Sequence, residues 1–78
     1  MKKADLICEM VGLLEDAITY YEHDNAKLFL LYYGRAQSIE WLLMDHFDWY
    51  SEDEGGYPMD LLDTCFTYCS RVNATKED

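Results

Sequence analysis

Apolar residues recur at helical spacing along most of the chain and predict helices over about residues 4–22, 26–50 and 58–72. The apolar stripe of the first predicted helix is formed by Leu6, Ile7, Met10, Val11, Leu14, Ala17, Ile18 and Tyr21. The stripe of the third is formed by Met59, Leu62, Cys65, Phe66, Cys69 and Val72. No strand-like alternation competes with these patterns. We therefore predict an all-α fold, a small three-helix bundle made of an antiparallel helical hairpin and a shorter third helix.

The break between the first two helices is the least obvious feature of the pattern. Residues 22–25 interrupt the stripe, and Asp24 or Asn25 can cap a new helix. Leu28, however, lies eighteen residues after Met10, which is five full turns, so one uninterrupted helix is geometrically possible. Such a helix would approach about fifty residues, far above the ordinary length, and would bury polar side chains. We therefore expect a tight antiparallel hairpin.

The predicted second helix carries apolar residues on two opposite sides. One side is formed by Leu28, Tyr32, Ala36, Ile39, Leu43, Phe47 and Tyr50. The other is formed by Leu30, Tyr33, Gly34, Gln37, Trp41 and Met44. The middle helix of a bundle needs contact faces less than half a circle apart, so the Trp41 side exceeds that need. We expect the first side to pack on helix one and the second to bind a partner, unless helix three reaches far enough around to cover it.

The chain after the second predicted helix is dominated by charge and by turn-forming residues. Residues 51–57 combine acids with two glycines and predict an acidic turn. Pro58 suits the first position of a third helix, and residues 74–78 are expected to form a frayed tail. The whole of residues 1–78 is predicted to be one domain, at a size where docking on a copy or a partner is a common supplement to the core.

The charge distribution bears on the predicted function of the chain more than on its predicted fold. Sixteen acidic residues face six basic ones, a formal net charge of −10, and no Lys or Arg lies between Arg35 and Arg71. The acids of that segment are Glu40, Asp45, Asp48, Glu52, Asp53, Glu54, Asp60 and Asp63. They repel phosphate, so we expect neither direct nucleic-acid binding nor membrane binding, but attraction to a basic protein. The carboxylates imitate a nucleic acid, or simply attract that protein, or only keep the chain soluble.

Candidate chemistry is sparse. Cys65 and Cys69, with His23 and His46, make a four-ligand zinc site arithmetically possible, but a CxxxC on an apolar stripe more often marks two buried thiols. There is no glycine-rich phosphate loop, HExxH or nucleophile elbow. We expect no enzyme, no metal site and no cofactor. Three reduced cysteines, with no signal-peptide core and no membrane-spanning run, favour a cytoplasmic location.

These features combine into one candidate partner-binding set: Leu30, Tyr33, Gln37, Glu40, Trp41, Met44, Asp45, Asp48, Glu52, Asp53 and Glu54. In size, charge and extra apolar surface the chain resembles, by type and through no motif, the inhibitors that phages and other mobile elements deploy against host nucleases and defence complexes, anti-CRISPR proteins among them. The resemblance implies docking on, and inhibition or modulation of, a larger basic nucleic-acid-handling protein or nucleoprotein complex. The alternative is a structural or regulatory homodimer, in which the second side meets its own copy.

Overall fold

Helices make up nearly all of the chain. The computed structural model describes residues 2–76, in which the four helices are α1 (Lys3–Glu22), α2 (Ala26–Phe47), α3 (Ser51–Glu54) and α4 (Gly56–Lys76). No strand occurs in residues 2–76, so the all-α prediction is confirmed. The last helix differs from the prediction of a shorter helix followed by a tail, because residues 74–76 continue α4, which has 21 residues against 20 in α1. Glu77 and Asp78, predicted as part of the same tail, lie outside the described residues.

Residues 23–25 turn the chain between α1 and α2, so the uninterrupted helix does not form. Asp24 adopts a left-handed backbone conformation with φ of 60°, which Asp tolerates better than most residues. The side chain of Asn25 then accepts a hydrogen bond from the backbone N–H of Leu28 at 3.2 Å. This cap satisfies one of the free donors at the start of α2 and fixes where the helix begins.

The core lies where the three long helices meet. Its buried apolar residues are Leu6, Met10, Leu14, Ala17, Phe29, Tyr33, Ala36, Leu43, Trp49, Leu61, Leu62 and Cys65. An aromatic cluster, defined as Tyr21, Phe29, Tyr33 and Tyr68, joins all three helices. The Phe29 ring centroid is 5.4 Å from that of Tyr21 and 5.8 Å from that of Tyr33, and the Tyr68 ring stacks on Tyr21 at 3.9 Å.

The helix directions follow from these contacts. Tyr21 near the end of α1 meets Phe29 near the start of α2, so the two helices run antiparallel. On α4, the Sγ of Cys65 lies 3.9 Å from the carbonyl oxygen of Leu14, and Tyr68 stacks on Tyr21. Because both sequence positions increase together, α4 runs parallel to α1. It therefore runs antiparallel to α2.

The end of α2 differs from the prediction, because the helix stops at Phe47 and not near Tyr50. Asp48 has a left-handed φ of 52°, which turns the chain, and the backbone N–H of Trp49 then donates to the Leu43 carbonyl at 3.1 Å. Trp49 is thereby buried, whereas Tyr50, predicted for the core side, is 43% exposed. Within residues 2–76 the Trp49 indole N–H finds no acceptor, so its apolar ring accounts for its position.

The predicted acidic turn at 51–57 is also more ordered than expected. Its acids lie in the single helical turn of α3, and α4 already begins at Gly56. Gly55 and Gly56 have φ of 66° and 70°, a conformation that glycine adopts without a side-chain clash. The two glycines therefore allow α4 to follow α3 directly. Pro58 takes the third position of α4, still inside the first turn, where its missing N–H has no partner to lose.

Candidate partner-binding site

The structure divides the predicted partner-binding residues by exposure. Tyr33 is buried. The partly buried members are Leu30, Gln37, Glu40 and Met44. The exposed members are Trp41, Asp45, Asp48, Glu52, Asp53 and Glu54. The second side of α2 is therefore covered in part, and Trp41 is its exposed large side chain.

Tyr33 is not the exposed anchor that the sequence predicted. It is 6% exposed and packs on Phe29 within the aromatic cluster. Burial, which would strip the phenolate of its hydration, and to a smaller extent the thiols of Cys69 and Cys65 on α4 together raise the pKa of Tyr33 to about 12. Tyr33 therefore faces α4. For this residue, the alternative in which the last long helix covers the second side is the right one.

Trp41 remains open to solvent, with 58% of its surface exposed. It follows Tyr33 by eight residues, which rotates it about 80° further around the helix and away from the core. Asp45 follows Trp41 by four residues, so the exposed carboxylate lies on the same face one turn later. A large indole and a carboxylate thus share one exposed surface of α2.

Phe66 is a second exposed aromatic residue that the sequence reasoning misplaced. It was predicted for the core stripe of the third helix, yet it is 66% exposed while the adjacent Cys65 is fully buried. Asp63 precedes Phe66 by three residues and is also exposed, so α4 repeats the pairing of an aromatic ring with a carboxylate. The stripe contained both Cys65 and Phe66, and helical periodicity alone does not choose between neighbours. Leu61 and Tyr68 lie on the same side of α4 as Cys65. Their positions in the sequence could have indicated that Cys65, and not Phe66, faces the core.

Glu40 on α2 and Glu52 on α3 lie close enough for the charge of Glu52 to influence Glu40. Glu40 is partly buried, and its pKa is raised first by burial and second by the charge of Glu52 on α3. Because the two carboxylates belong to different helices, α3 adds its negative charge to the surface that α2 presents. Such a concentration of carboxylates attracts Lys and Arg side chains and repels phosphate.

The raised pKa of Glu40 has a measurable consequence for stability. Its native state holds the proton more tightly than the unfolded state, so wild-type stability falls as pH rises from the ordinary value of 4.5 through the raised folded pKa. We expect Glu40→Gln to raise the free energy of unfolding at neutral pH, with the gain vanishing below about pH 4. Urea unfolding at the two pH values measures it.

The matched control for that prediction is Glu9→Gln, which removes one exposed carboxylate from α1. A gain of the same size in both variants would mean that the general reduction of net charge, and not the burial of Glu40, is responsible.

Apolar surface is also found at the start of α2. An open hollow of about 710 Å³ there is lined by Ala26, Lys27, Leu28, Leu30 and Leu31. Leu30, a member of the predicted site, therefore borders this hollow. Within residues 2–76, no three or more His, Cys, Asp or Glu side chains come together as a metal site would require.

Comparisons of the chain with protein-family models, with curated proteins and with solved structures find no match. The helices in the described part of the chain are also too short or too polar to cross a bilayer. The case for a binding site therefore rests on this chain's own residues.

Proposed function

We propose that this chain is a non-enzymatic, acidic binding module that docks on a larger basic protein of nucleic-acid handling and inhibits or modulates it. One observation carries the proposal: Trp41 is 58% exposed beside Asp45, within a segment from Arg35 to Arg71 that contains no other Lys or Arg. Tryptophan is the residue type most often found as an energetic anchor of protein interfaces. Carboxylates around such an anchor select a basic partner and speed its association.

Inhibition follows from where a basic partner keeps its charge. A protein that handles nucleic acid concentrates Lys and Arg in its phosphate-binding groove. The exposed acids that would face such a groove are Asp45, Asp48, Glu52, Asp53 and Glu54. Whether they replace phosphates one by one or only draw the module onto the groove, nucleic acid loses access to the same surface. The proposed role, blocking a host protein that handles nucleic acid, is of the type that inhibitors from phages and mobile elements play against host defence.

The surface around Trp41 and Asp45 is held in place by the packing of the three long helices. Trp41 is held by a helix whose opposite side is anchored in the core through Ala36 and Leu43, both fully buried. A rigid anchor loses little conformational freedom when it binds. The rival homodimer requires two copies with a net charge of −10 to approach through the same acidic face, which like-charge repulsion disfavours.

Docking is expected to be sensitive to salt and to the acids at the end of α2 and on α3. Replacing Asp45, Asp48 and Glu52 together by their amides is expected to slow association with the captured partner by about tenfold at low salt, because steering is lost. Raising the ionic strength should weaken wild-type binding steeply, since exposed charges are screened. The association rate is measured on the partner captured by the immobilised chain from nuclease-treated host lysate.

The matched control for this test neutralises three exposed carboxylates on α1: Asp5→Asn, Glu9→Gln and Asp16→Asn. It removes the same net charge from a different surface, so a much smaller effect is expected. Equal effects of the two triple variants, or binding indifferent to salt, would contradict the proposal. A tight dimer on a sizing column with no captured protein would favour the homodimer.

A further inference from the structure

Trp41 and Phe66 flank the same side of the contact between α2 and α4. On α2, Trp41 lies about 80° from Tyr33, in the direction opposite to Ala36, which packs in the core. On α4, Phe66 lies about 160° from Tyr68, whose ring stacks on α1. Since α1 fills one side of the α2–α4 contact, both exposed rings border the other side. We call this side, bordered by Trp41 and Phe66, the α2–α4 groove.

The distance between the two rings along the groove follows from two contacts across it. The Phe29 and Tyr68 ring centroids are 6.3 Å apart, and Tyr33 and Cys65 lie in one buried cluster, against which Cys69 packs. With α2 and α4 antiparallel and a rise of 1.5 Å per residue, these contacts place Phe66 about 10–15 Å from Trp41 along the axis. That separation is two to three helical turns, and it puts Phe66 between the levels of Leu31 and Gly34.

The α2 side of the groove is open at Gly34. A Cβ atom built on Gly34 meets no other atom within 4 Å, so nothing stands above the helix backbone at that point. Leu30 lies one turn before Gly34 on the same face and borders the hollow of about 710 Å³ at the start of α2. The groove therefore extends from the hollow beside Leu30, past Gly34, to Trp41.

Charge and spacing together indicate what occupies the groove. Asp45 lies one turn from Trp41 and Asp63 one turn from Phe66, so each wall carries an exposed carboxylate beside its aromatic ring. A second copy of this chain would bring the same carboxylates against one another, whereas Lys or Arg would pair with them. On a helix that lies along the groove, apolar side chains two to three turns apart on one face have the same separation as the two rings.

We infer that the α2–α4 groove receives a cationic amphipathic α-helix of the partner, whose apolar stripe packs on Trp41 and Phe66 while its Lys or Arg residues face Asp45 and Asp63. This inference rests on the proposed function and names the part of the partner that binds. A partner helix in the groove packs against both α2 and α4, on the side of their contact opposite to α1.

The test blocks the groove without weakening the fold. Gly34→Leu fills the open space and also replaces a glycine by a better helix former, so the helix is not destabilised. The matched control is Gly12→Leu, since a Cβ at Gly12 on the polar side of α1 likewise meets nothing within 4 Å. The probe is a synthetic helical peptide of Leu, Lys and Ala with one leucine stripe. Its dissociation constant is measured by fluorescence, and its site by amide chemical shifts in NMR spectra.

We expect Gly34→Leu and Phe66→Ala each to weaken peptide binding by about tenfold or more, and Gly12→Leu to leave it unchanged. A scrambled peptide of the same composition, without the stripe, should bind much more weakly. Equal binding of the two peptides, equal losses in both glycine variants, or shift changes centred on α1 would each overturn the inference. If the groove fails in this way while docking stays sensitive to salt and to the α2 acids, the proposed function still stands and only its site is wrong.

Discussion

Replacing Phe29 by alanine is expected to lower the free energy of unfolding by about 3–5 kcal/mol, the range for a buried aromatic residue truncated in a core. The Phe29 side chain is fully buried, and its ring meets Tyr21 on α1, Tyr33 on α2 and Tyr68 on α4. Its loss therefore leaves a cavity at the point where all three long helices meet. Small domains often have only about 5 kcal/mol of stability, so the variant should be largely unfolded or close to it.

The chain offers a matched control in Phe66→Ala, the same substitution on an aromatic residue that is 66% exposed. We expect that variant to change the free energy of unfolding by no more than about 0.5 kcal/mol, as is usual for surface positions. Urea titration followed by circular dichroism compares the two. Similar losses in both variants would show that Phe66 contributes to the core and that α4 turns a different face inward.

The first helix was predictable from sequence because its pattern is unambiguous. Leu6, Met10, Leu14 and Ala17 are its buried residues, and all four were in the predicted stripe. Only one face of α1 is apolar, so burial has one solution whatever the neighbouring helices do. The antiparallel pairing of α1 and α2 was also predictable, because a turn this short forces the second helix back along the first.

The second side of α2 was not predictable in the same way, because its burial depends on where another helix lies. Tyr33 and Trp41 belong to one apolar side in the sequence pattern, yet they differ by about 80° around the helix. That angle is enough for α4 to bury Tyr33 and leave Trp41 exposed. Periodicity specifies which residues share a face, whereas the position of a partner helix is a tertiary property.

The backbone at the end of α2 shows a second limit. The left-handed φ of Asp48 ends the helix, buries Trp49 and exposes Tyr50, although the helical pattern continues through all three residues. Asp tolerates this conformation better than most residues, but its presence does not require it. The acids of the candidate site therefore lie partly on α2 and partly on α3, and not on one continuous helix.

The second large effect is expected from Trp41→Glu. Since Trp41 is 58% exposed, the substitution should leave the helical circular dichroism and the thermal midpoint close to wild type. Partner binding, in contrast, should weaken by about 100-fold or more, because the variant loses an aromatic anchor and gains a desolvated charge. The adjacent residue provides the control: Leu42 is also exposed, at 39%, but is rotated 100° away from Trp41 around α2.

The most direct measurement of the central claim compares partner binding by the wild type, Trp41→Glu and Leu42→Glu, each shown to be folded by circular dichroism. The captured partner, freed of nucleic acid by nuclease treatment, is titrated with each chain at fixed low salt. A basic protein that binds the wild type and Leu42→Glu, but loses about 100-fold in affinity for Trp41→Glu, is the predicted result. Equal binding by all three chains, or unfolding of Trp41→Glu alone, would contradict the claim that Trp41 anchors a docking surface.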